Sequence, residues 1–322
     1  LRGDWLVGFL SLSAKAELLP DGGAAAAAGE FFRSPEFMAA EGVTHTLRIS
    51  AGASELLAPL LVDEIEGADG LDAASPYGYP GIAGEAAAQL DPQQVDWSAT
   101  GLVSIFLRHR LGAEPALAGA SERNEVQIAD PARPRKSRPS DRQQIRRNLE
   151  RGYELRLTEG PRVSDSQRAG FLAAYEQTMR RTDAAERYFF DEEYFARILA
   201  FEASWLFCAI APGGEVAAAS IVARSDAMLH YYLSGTADSF LSDSPMKNLV
   251  ARIVDFAEQA GRPLNLGGGI TPGDPLEEFK RGFANRREPF LTSEIVADLD
   301  AYERLARGRE AGAFFPAYRA PG

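Results

Sequence analysis

Three apolar alternations in close succession limit what this chain can fold into. Trp205 to Ile210, Glu215 to Ala223 and Met228 to Ser234 are each the length of one strand, separated only by Gly213-Gly214 and by Ser225-Asp226. Turns that short join antiparallel neighbours, because parallel strands need a crossover of a dozen or more residues. An antiparallel meander is predicted. Pro245 to Ala260 follows as an amphipathic helix stopped by Gly261, and Leu264 to Leu266 is the next strand. That strand runs into Gly267, Gly268 and Gly269, so a buried strand opens onto bare backbone where a substrate or another chain can approach closely.

A lysine stands just beyond. Asp274-Pro275-Leu276-Glu277-Glu278-Phe279-Lys280-Arg281-Gly282-Phe283 places Lys280 between aromatic neighbours that can hold it against the glycines. A fixed positive charge in a poorly hydrated site stabilises an oxyanion during acyl transfer without reorienting as the charge develops. The same residues also fit a glycine-rich loop with a solvated lysine.

Upstream, Ser140-Asp141 as cap, then RQQIRRNLERG with Gly152 as the stop, predict a helix, and Tyr153 to Thr158 a strand. Ser164 to Arg181 and Glu192 to Ala200 carry apolar residues at helical spacing. Earlier still, Thr44 to Ser50 and Glu55 to Glu66 form a hairpin about Gly52. Ala87 to Leu90 and Val95 to Ala99 bracket a short connection, and Ser104 to Arg108 and Glu125 to Ile128 are further strands. The PDGGAAAAAG stretch near the start is of low complexity and is expected to be loop or weak helix. At 322 residues the chain is long enough for two cores. The Pro- and Arg-rich segment Ala132 to Pro139 divides it, giving domains over 1–135 and 136–322.

Composition excludes several function classes. A single cysteine, Cys208, rules out a disulfide framework and any multi-thiolate metal site, and it sits in an apolar strand where an inert thiol is usual. His45, His109 and His230 are the only histidines and share no metal-binding frame, so neither metal nor cofactor is expected. His230 is read as a strand histidine with its polar atoms satisfied. No apolar run reaches the roughly 18 residues of a membrane span, which points to a cytoplasmic protein. The net charge of -12 argues against general coating of nucleic acid. Against that background Arg133, Arg135, Lys136, Arg138, Arg142, Arg146, Arg147 and Arg151 form a local basic cluster. Arg142 and Arg146 lie one helical turn apart with Arg147 beside them, a face suited to the phosphates of a substrate. The other reading is a solvated helix paired with Asp141 and Glu150.

Four stretches resemble one family. Ser75-Pro76-Tyr77-Gly78-Tyr79-Pro80-Gly81 is similar to its first-domain loop, and Arg142 to Asn148 with Gly152-Tyr153 to its basic helix and strand. Ala174 to Arg181, and Tyr232 to Thr236 with the LNLGGG to FKRGF segment, complete the match. From about Ser75 to Tyr302 the sequence resembles the Fem-type branch of the Gcn5-related acyltransferase superfamily. That branch moves an amino acid from aminoacyl-tRNA to an amine.

The resemblance implies an α+β fold of two Gcn5-related acyltransferase-like domains side by side, the first smaller or degenerate, with no helical arm. It implies aminoacyl-tRNA as donor and a small amine acceptor, a specialised metabolite or a cell-wall precursor. Lys280 falls at the family's lysine position, with Tyr232 and Gly267 to Gly269 lining the same cleft. Asp274 is a candidate for the proton-accepting carboxylate, and Tyr77 and Tyr79 are candidates to wall the acceptor pocket or to form a rigid turn between domains. The alternative class of answer is a non-catalytic binding protein that keeps the fold, against which Lys280, the glycines and the basic helix stand together, and the rival donor is acyl-CoA. The segment Ala237 to Ser244, where the superfamily's glycine-rich pyrophosphate loop would lie, has no glycine and carries two aspartates that would repel a pyrophosphate.

Overall fold

The computed structural model describes residues 14–84, 88–269, 271, 273–309 and 314–320. The apolar stretch before Ala14, and Ala87, lie outside the described residues. In the first half the strands are β1 (Ala14–Leu19), β2 (His45–Ala51), β3 (Ser54–Glu64), β4 (Leu71–Ala74), β5 (Val95–Asp96), β6 (Leu102–Arg108) and β7 (Ser121–Ala129), with helix α1 (Pro35–Glu41) ahead of β2. In the second half come α2 (Pro139–Glu150), β8 (Glu154–Glu159), α3 (Asp165–Arg181), α4 (Glu192–Leu199), β9 (Ser204–Ile210), β10 (Val216–Ser225) and β11 (Met228–Thr236). The chain ends with α5 (Met246–Ala260), β12 (Leu264–Asn265), α6 (Pro275–Arg281), β13 (Arg286–Val296) and α7 (Leu299–Ala306).

All thirteen described strands join in one sheet, in the order β5-β1-β2-β3-β4-β6-β13-β7-β12-β11-β10-β9-β8. Each half is an antiparallel meander, β1 to β4 and β8 to β11, whose last strand takes a parallel neighbour, β6 and β12 respectively. This is the expected α+β arrangement of two acyltransferase-like halves side by side. The longest described helix is α3, of 17 residues, so the described residues include no long helical arm. No described helix is long and apolar enough to cross a membrane.

Local chemistry explains most boundaries. Gly52, at φ 63°, closes the tight β2–β3 turn. Gly261, at φ 62°, ends α5 in the left-handed conformation that costs glycine nothing. α3 starts on a full capping box between Ser164 and Gln167. α2, however, begins at Pro139, not at an Asp141 cap. Asp141 is buried inside the first turn, where it pairs with Lys247 at 2.8 Å.

Two features had no counterpart in the sequence reading. Ala14–Leu19 is a strand because its residues pair with β2 in the register Leu18 to Leu47, while the low-complexity stretch forms a short 3-10 turn at Gly22–Ala25 capped by Asp21. The last segment also crosses the division expected at 135/136. β13 inserts between β6 and β7, and Ala301 of α7 packs with Ile65, Val103 and Tyr318. The crossing is reciprocal, since Phe31, Phe32 and Phe37 from the N-terminal side share a core with Phe171, Tyr175 and Phe195 of α3 and α4.

Candidate active site

The parallel pairing of β11 with β12 lasts two positions, Leu229 with Leu264 and His230 with Asn265, and then stops. Beyond it β11 stays with β10, while the chain after β12 turns to β7, where Leu266 N donates to Gln127 O and Gln127 N to Gly267 O at 3.0 Å. A wedge opens between the two strands. On its β11 side the register skips from Tyr231–Val222 to Leu233–Ile221, so Tyr232 is the extra residue of a β-bulge. A bulge re-aims a side chain and ends regular pairing, which is why bulges recur beside active sites. Here Tyr231 turns toward Met246 of α5, while Tyr232 faces Phe31 and Phe37.

On the β12 side the structure brings together Lys280, Asp274 and the three glycines. Lys280 Nζ donates to Gly268 O at 2.7 Å, and a Cβ on Gly267 would stand 3.0 Å from that nitrogen. Gly267 also has φ 78°, so a side chain there would be strained as well as crowded. Burial pushes the Lys280 ammonium down to about 8, against the opposing pull of Asp274. Asp274 caps α6, its carboxylate accepting from Glu277 N at 2.7 Å and Thr271 N at 3.0 Å, and a Cβ on Gly269 would fall 2.5 Å from its Oδ1. The glycine floor and the lysine thus depend on each other: bare backbone leaves room for the ammonium and the helix cap.

Two buried polar atoms of β7, the strand whose backbone pairs with this floor, have no hydrogen-bond partner among the described residues, Gln127 Nε2 and Asn124 Oδ1. Gln127 is 1% exposed, and the Asn124 side chain lies 3.2 Å from the Cβ position of Gly268. An unpartnered buried amide costs about 1–3 kcal/mol, which a bound carbonyl or N–H would recover. The sequence reading missed both residues. A glutamine inside the apolar run Val126-Gln127-Ile128-Ala129 was the available signal.

Tyr232 and Tyr77 belong to a second cluster around Glu41, the last residue of α1. Glu41 Oε1 accepts from Tyr194 Oη at 2.6 Å and Tyr232 Oη at 3.3 Å, Oε2 accepts from Tyr77 N at 3.1 Å, and the two phenol oxygens are 2.7 Å apart. Burial raises the Glu41 carboxyl above its ordinary range, opposed by these hydrogen bonds. Tyr194 and Tyr232 are raised further, by burial and then by the neighbouring acid and phenol. Glu41 and Tyr194 carry no local sequence signal, because residues 153 positions apart meet only when α1 packs on α4.

Tyr79 lies between the clusters. Its ring centroid is 5.5 Å from Phe32 and 5.3 Å from His230, and its hydroxyl bonds Asn265, whose Oδ1 accepts from Gly267 N at 2.8 Å. His230 is buried, accepts from Asn265 Nδ2 across 3.1 Å, and is held down to about 4 by desolvation, as a neutral strand histidine would be. Cys208 is buried with its thiol pushed up to about 12. Arg286 and Arg287 are paired, with Asp130 at 3.1 Å and Glu125 at 2.7 Å.

The basic cluster borders the lysine helix. Arg138 ion-pairs with Glu278 of α6, and Asp141 Oδ2 lies 3.2 Å from the Cβ position of Gly282. Arg142, Arg146 and Arg147 are exposed on α2; Arg142 donates to Ser137 O at 2.6 Å, while Arg146 and Arg147 have no ion pair among the described residues.

Residues 135–281, which include α2, the meander, α5, the glycines and Lys280, match the acetyltransferase (GNAT) domain family. The solved structure of FemX is similar over 84% of this chain and 93% of its own, with a TM-score of 0.59 at 10% identity. The chain has the Fem-like tandem GNAT fold. L-PGS from Bacillus licheniformis is similar over 76% of this chain and 83% of its own, at TM-score 0.55 and 13% identity. The C-terminal domain of a protein assigned as a lysylphosphatidylglycerol synthetase from Agrobacterium fabrum covers 76% of this chain and 82% of its own, at 0.53 and 15%. No curated protein matches the sequence. Within the GNAT domain match, the opening between the fourth and fifth strands of the second half coincides with Lys280 and its glycine floor.

Proposed function

We propose that the protein forms an amide bond by transferring an amino acid from aminoacyl-tRNA to the amine of a small acceptor, a specialised metabolite or a cell-wall precursor. The observation that carries this reading is the Lys280 ammonium, seated on Gly268 at the mouth of the β11–β12 wedge, with the unpartnered Gln127 amide on the adjoining strand β7. The donor ester is already activated. A neutral acceptor amine attacks its carbonyl carbon, the C–N bond forms, the C–O bond to the tRNA ribose breaks, and the amine's proton ends on the departing ribose oxygen. Negative charge gathers on the carbonyl oxygen in between, where Lys280 offsets it and the Gln127 N–H donates to it. At neutral pH an ammonium at about 8 is still largely charged, so the electrostatic role is available.

Two further features support a nucleic-acid donor. The exposed Arg142, Arg146 and Arg147 stand on the helix that adjoins α6, where the phosphates of a long donor could lie while its ester reaches the wedge. Ahead of α5, Asp243 accepts from Tyr153 Oη at 2.7 Å and pairs with Arg151 at 2.6 Å, which leaves a carboxylate where a CoA pyrophosphate would seek a helix N-terminus. One of the similar structures is named for lysylphosphatidylglycerol, a lysyl conjugate. The acyl-CoA reading draws on the family's description as acetyltransferases. Incubating the protein with candidate amines and either a charged-tRNA mixture or acyl-CoAs decides between them. Ribonuclease-sensitive product from the charged tRNA is expected, and product from CoA alone, untouched by ribonuclease, overturns the proposal.

A further inference from the structure

The cluster around Glu41 takes no part in the chemistry just described, yet it is costly to build. A carboxylate has been moved into a largely apolar setting among Phe31, Phe37, Phe190 and the rings of Tyr194 and Tyr232. Three donors hold it, two phenols and the Tyr77 N–H, and all three are neutral. No lysine, arginine or histidine nitrogen pairs with it among the described residues. The nearest guanidinium by electrostatic influence is Arg108 of β6. It forms no ion pair with Glu41: its Nη1 donates to Ser75 O at 2.5 Å and its Cζ lies 5.1 Å from the Phe106 centroid, while its charge still acts on Glu41, Tyr77 and Tyr188. A half-buried carboxylate with no ion-pair partner is only partly compensated, since hydrogen bonds to neutral groups do not repay all of its desolvation.

The outer side of the cluster is aromatic and open. Tyr77 is 40% exposed, and its ring lies 6.0 Å from both Tyr188 and Tyr232. Tyr188 already takes a cation on its ring, with the Arg187 guanidinium 5.0 Å from its centroid. Rings around an anion form a setting that selects organic cations, because the ring faces attract positive charge and the carboxylate neutralises it.

We propose that Glu41, with the rings of Tyr77, Tyr188 and Tyr232, is a binding subsite for a protonated amine carried by the substrate. The inference rests on the reading of the cleft as the seat of an amine acceptor. It adds that the acceptor presents a cationic nitrogen at Glu41, apart from the nitrogen that reacts at Lys280. An acceptor with two basic nitrogens has the required chemistry. Uncharged or anionic groups do not, since the subsite already holds an anion. The phenols would keep their bonds to Glu41 Oε1 while the ammonium approaches the carboxylate from the Tyr77 side, the exposed end of the cluster.

The test needs no donor. Purified full-length protein is titrated with n-butylammonium chloride, and in parallel with n-butanol as its uncharged counterpart, at constant ionic strength, with binding followed by saturation-transfer NMR of the small molecule. Saturable binding of butylammonium, at least tenfold tighter than butanol, is expected, with at least a tenfold loss in Glu41→Gln and several-fold in Tyr188→Leu. Equal behaviour of the two probes, absence of butylammonium binding, or wild-type affinity in Glu41→Gln overturns the proposal. Should Glu41→Gln fail to fold, Tyr188→Leu on the outer wall decides, and wild-type affinity in it overturns the proposal as well. The outcome is separable from the donor question: ammonium binding without aminoacyl transfer counts against the tRNA reading only, and transfer to an acceptor with two basic nitrogens that is unchanged in Glu41→Gln counts against this subsite only.

Discussion

β4 with β6 in the first half, and β11 with β12 in the second, occupy the same place in the topology: the last strand of a meander meeting a parallel neighbour. In the first half the pairing is carried past the end of β4. Ser75 N donates to Phe106 O at 2.8 Å, Arg108 N to Ser75 Oγ at 3.1 Å, and Gly81 N to Arg108 O at 3.1 Å. Ala73 and Ile105 fill the join as part of a closed apolar core. In the second half the pairing ends at His230–Asn265, Tyr232 bulges out, and three glycines and a lysine stand where the first half has backbone bonds and branched side chains. One backbone plan thus gives a sealed seam and an open wedge, and the side chains at the join decide which. The sealed half is not idle. The loop after its β4 sends Tyr77 and Tyr79 across to Tyr232 and His230 of the open half.

The comparison breaks most readily at the sealed seam. Ile105 is fully buried, so Ile105→Ala should cost about 2–5 kcal/mol by lost burial and a cavity, lowering the denaturant midpoint without touching turnover per folded molecule. A small loss of stability with a large loss of turnover would mean that the first seam is a site too.

At the open wedge the signs should reverse. Lys280→Met removes the oxyanion partner and should lower turnover roughly a hundredfold, about 3 kcal/mol, in single-turnover assays. The folded-state value is depressed from 10.5 to about 8, so the lysine's contribution to stability is present above 10.5 and is lost as pH falls through about 8. At pH 7 the buried charge therefore costs stability, and the methionine variant should melt higher, by about 1–2 kcal/mol after the lost Gly268 bond is counted. A lower melting temperature with unchanged turnover would place Lys280 among structural residues.

The pH profile sharpens the same point. Activity that needs the ammonium is present below about 8 and falls tenfold per unit above it, while Lys280→Arg, whose charge persists, should lose that limb. An identical alkaline limb in both proteins would assign it to a group other than Lys280. The smallest effect is expected at the basic face. Replacing Arg142, Arg146 and Arg147 by alanine should raise the Michaelis constant for a charged tRNA and flatten its dependence on salt, measured from 50 to 200 mM, by up to about 0.7–0.9 in logarithmic slope per contact removed. Wild-type kinetics across that series would make the cluster a solvated face.

What the sequence determined by itself was local. The meander over β9 to β11, the stop of α5 at Gly261 and the β2–β3 hairpin follow from period-two alternation, amphipathic spacing and turn glycines, all of which act within a few residues. The meeting of Lys280 with Gly267 to Gly269 was legible for the same reason, since only 12 residues separate the bonded pair. Tertiary structure decided the rest. Tyr232 was expected beside the lysine, and instead it bonds Glu41, because a one-residue bulge sets where it points and the packing of α1 on α4 sets what it meets. β13 shows no local pattern that would send it between β6 and β7; that place exists only once both halves have left their edge strands unpaired, and closing those edges is what draws it back. The two polar atoms of β7 left without partners are likewise invisible in sequence, because whether a buried amide is satisfied depends on every neighbour that folding brings to it.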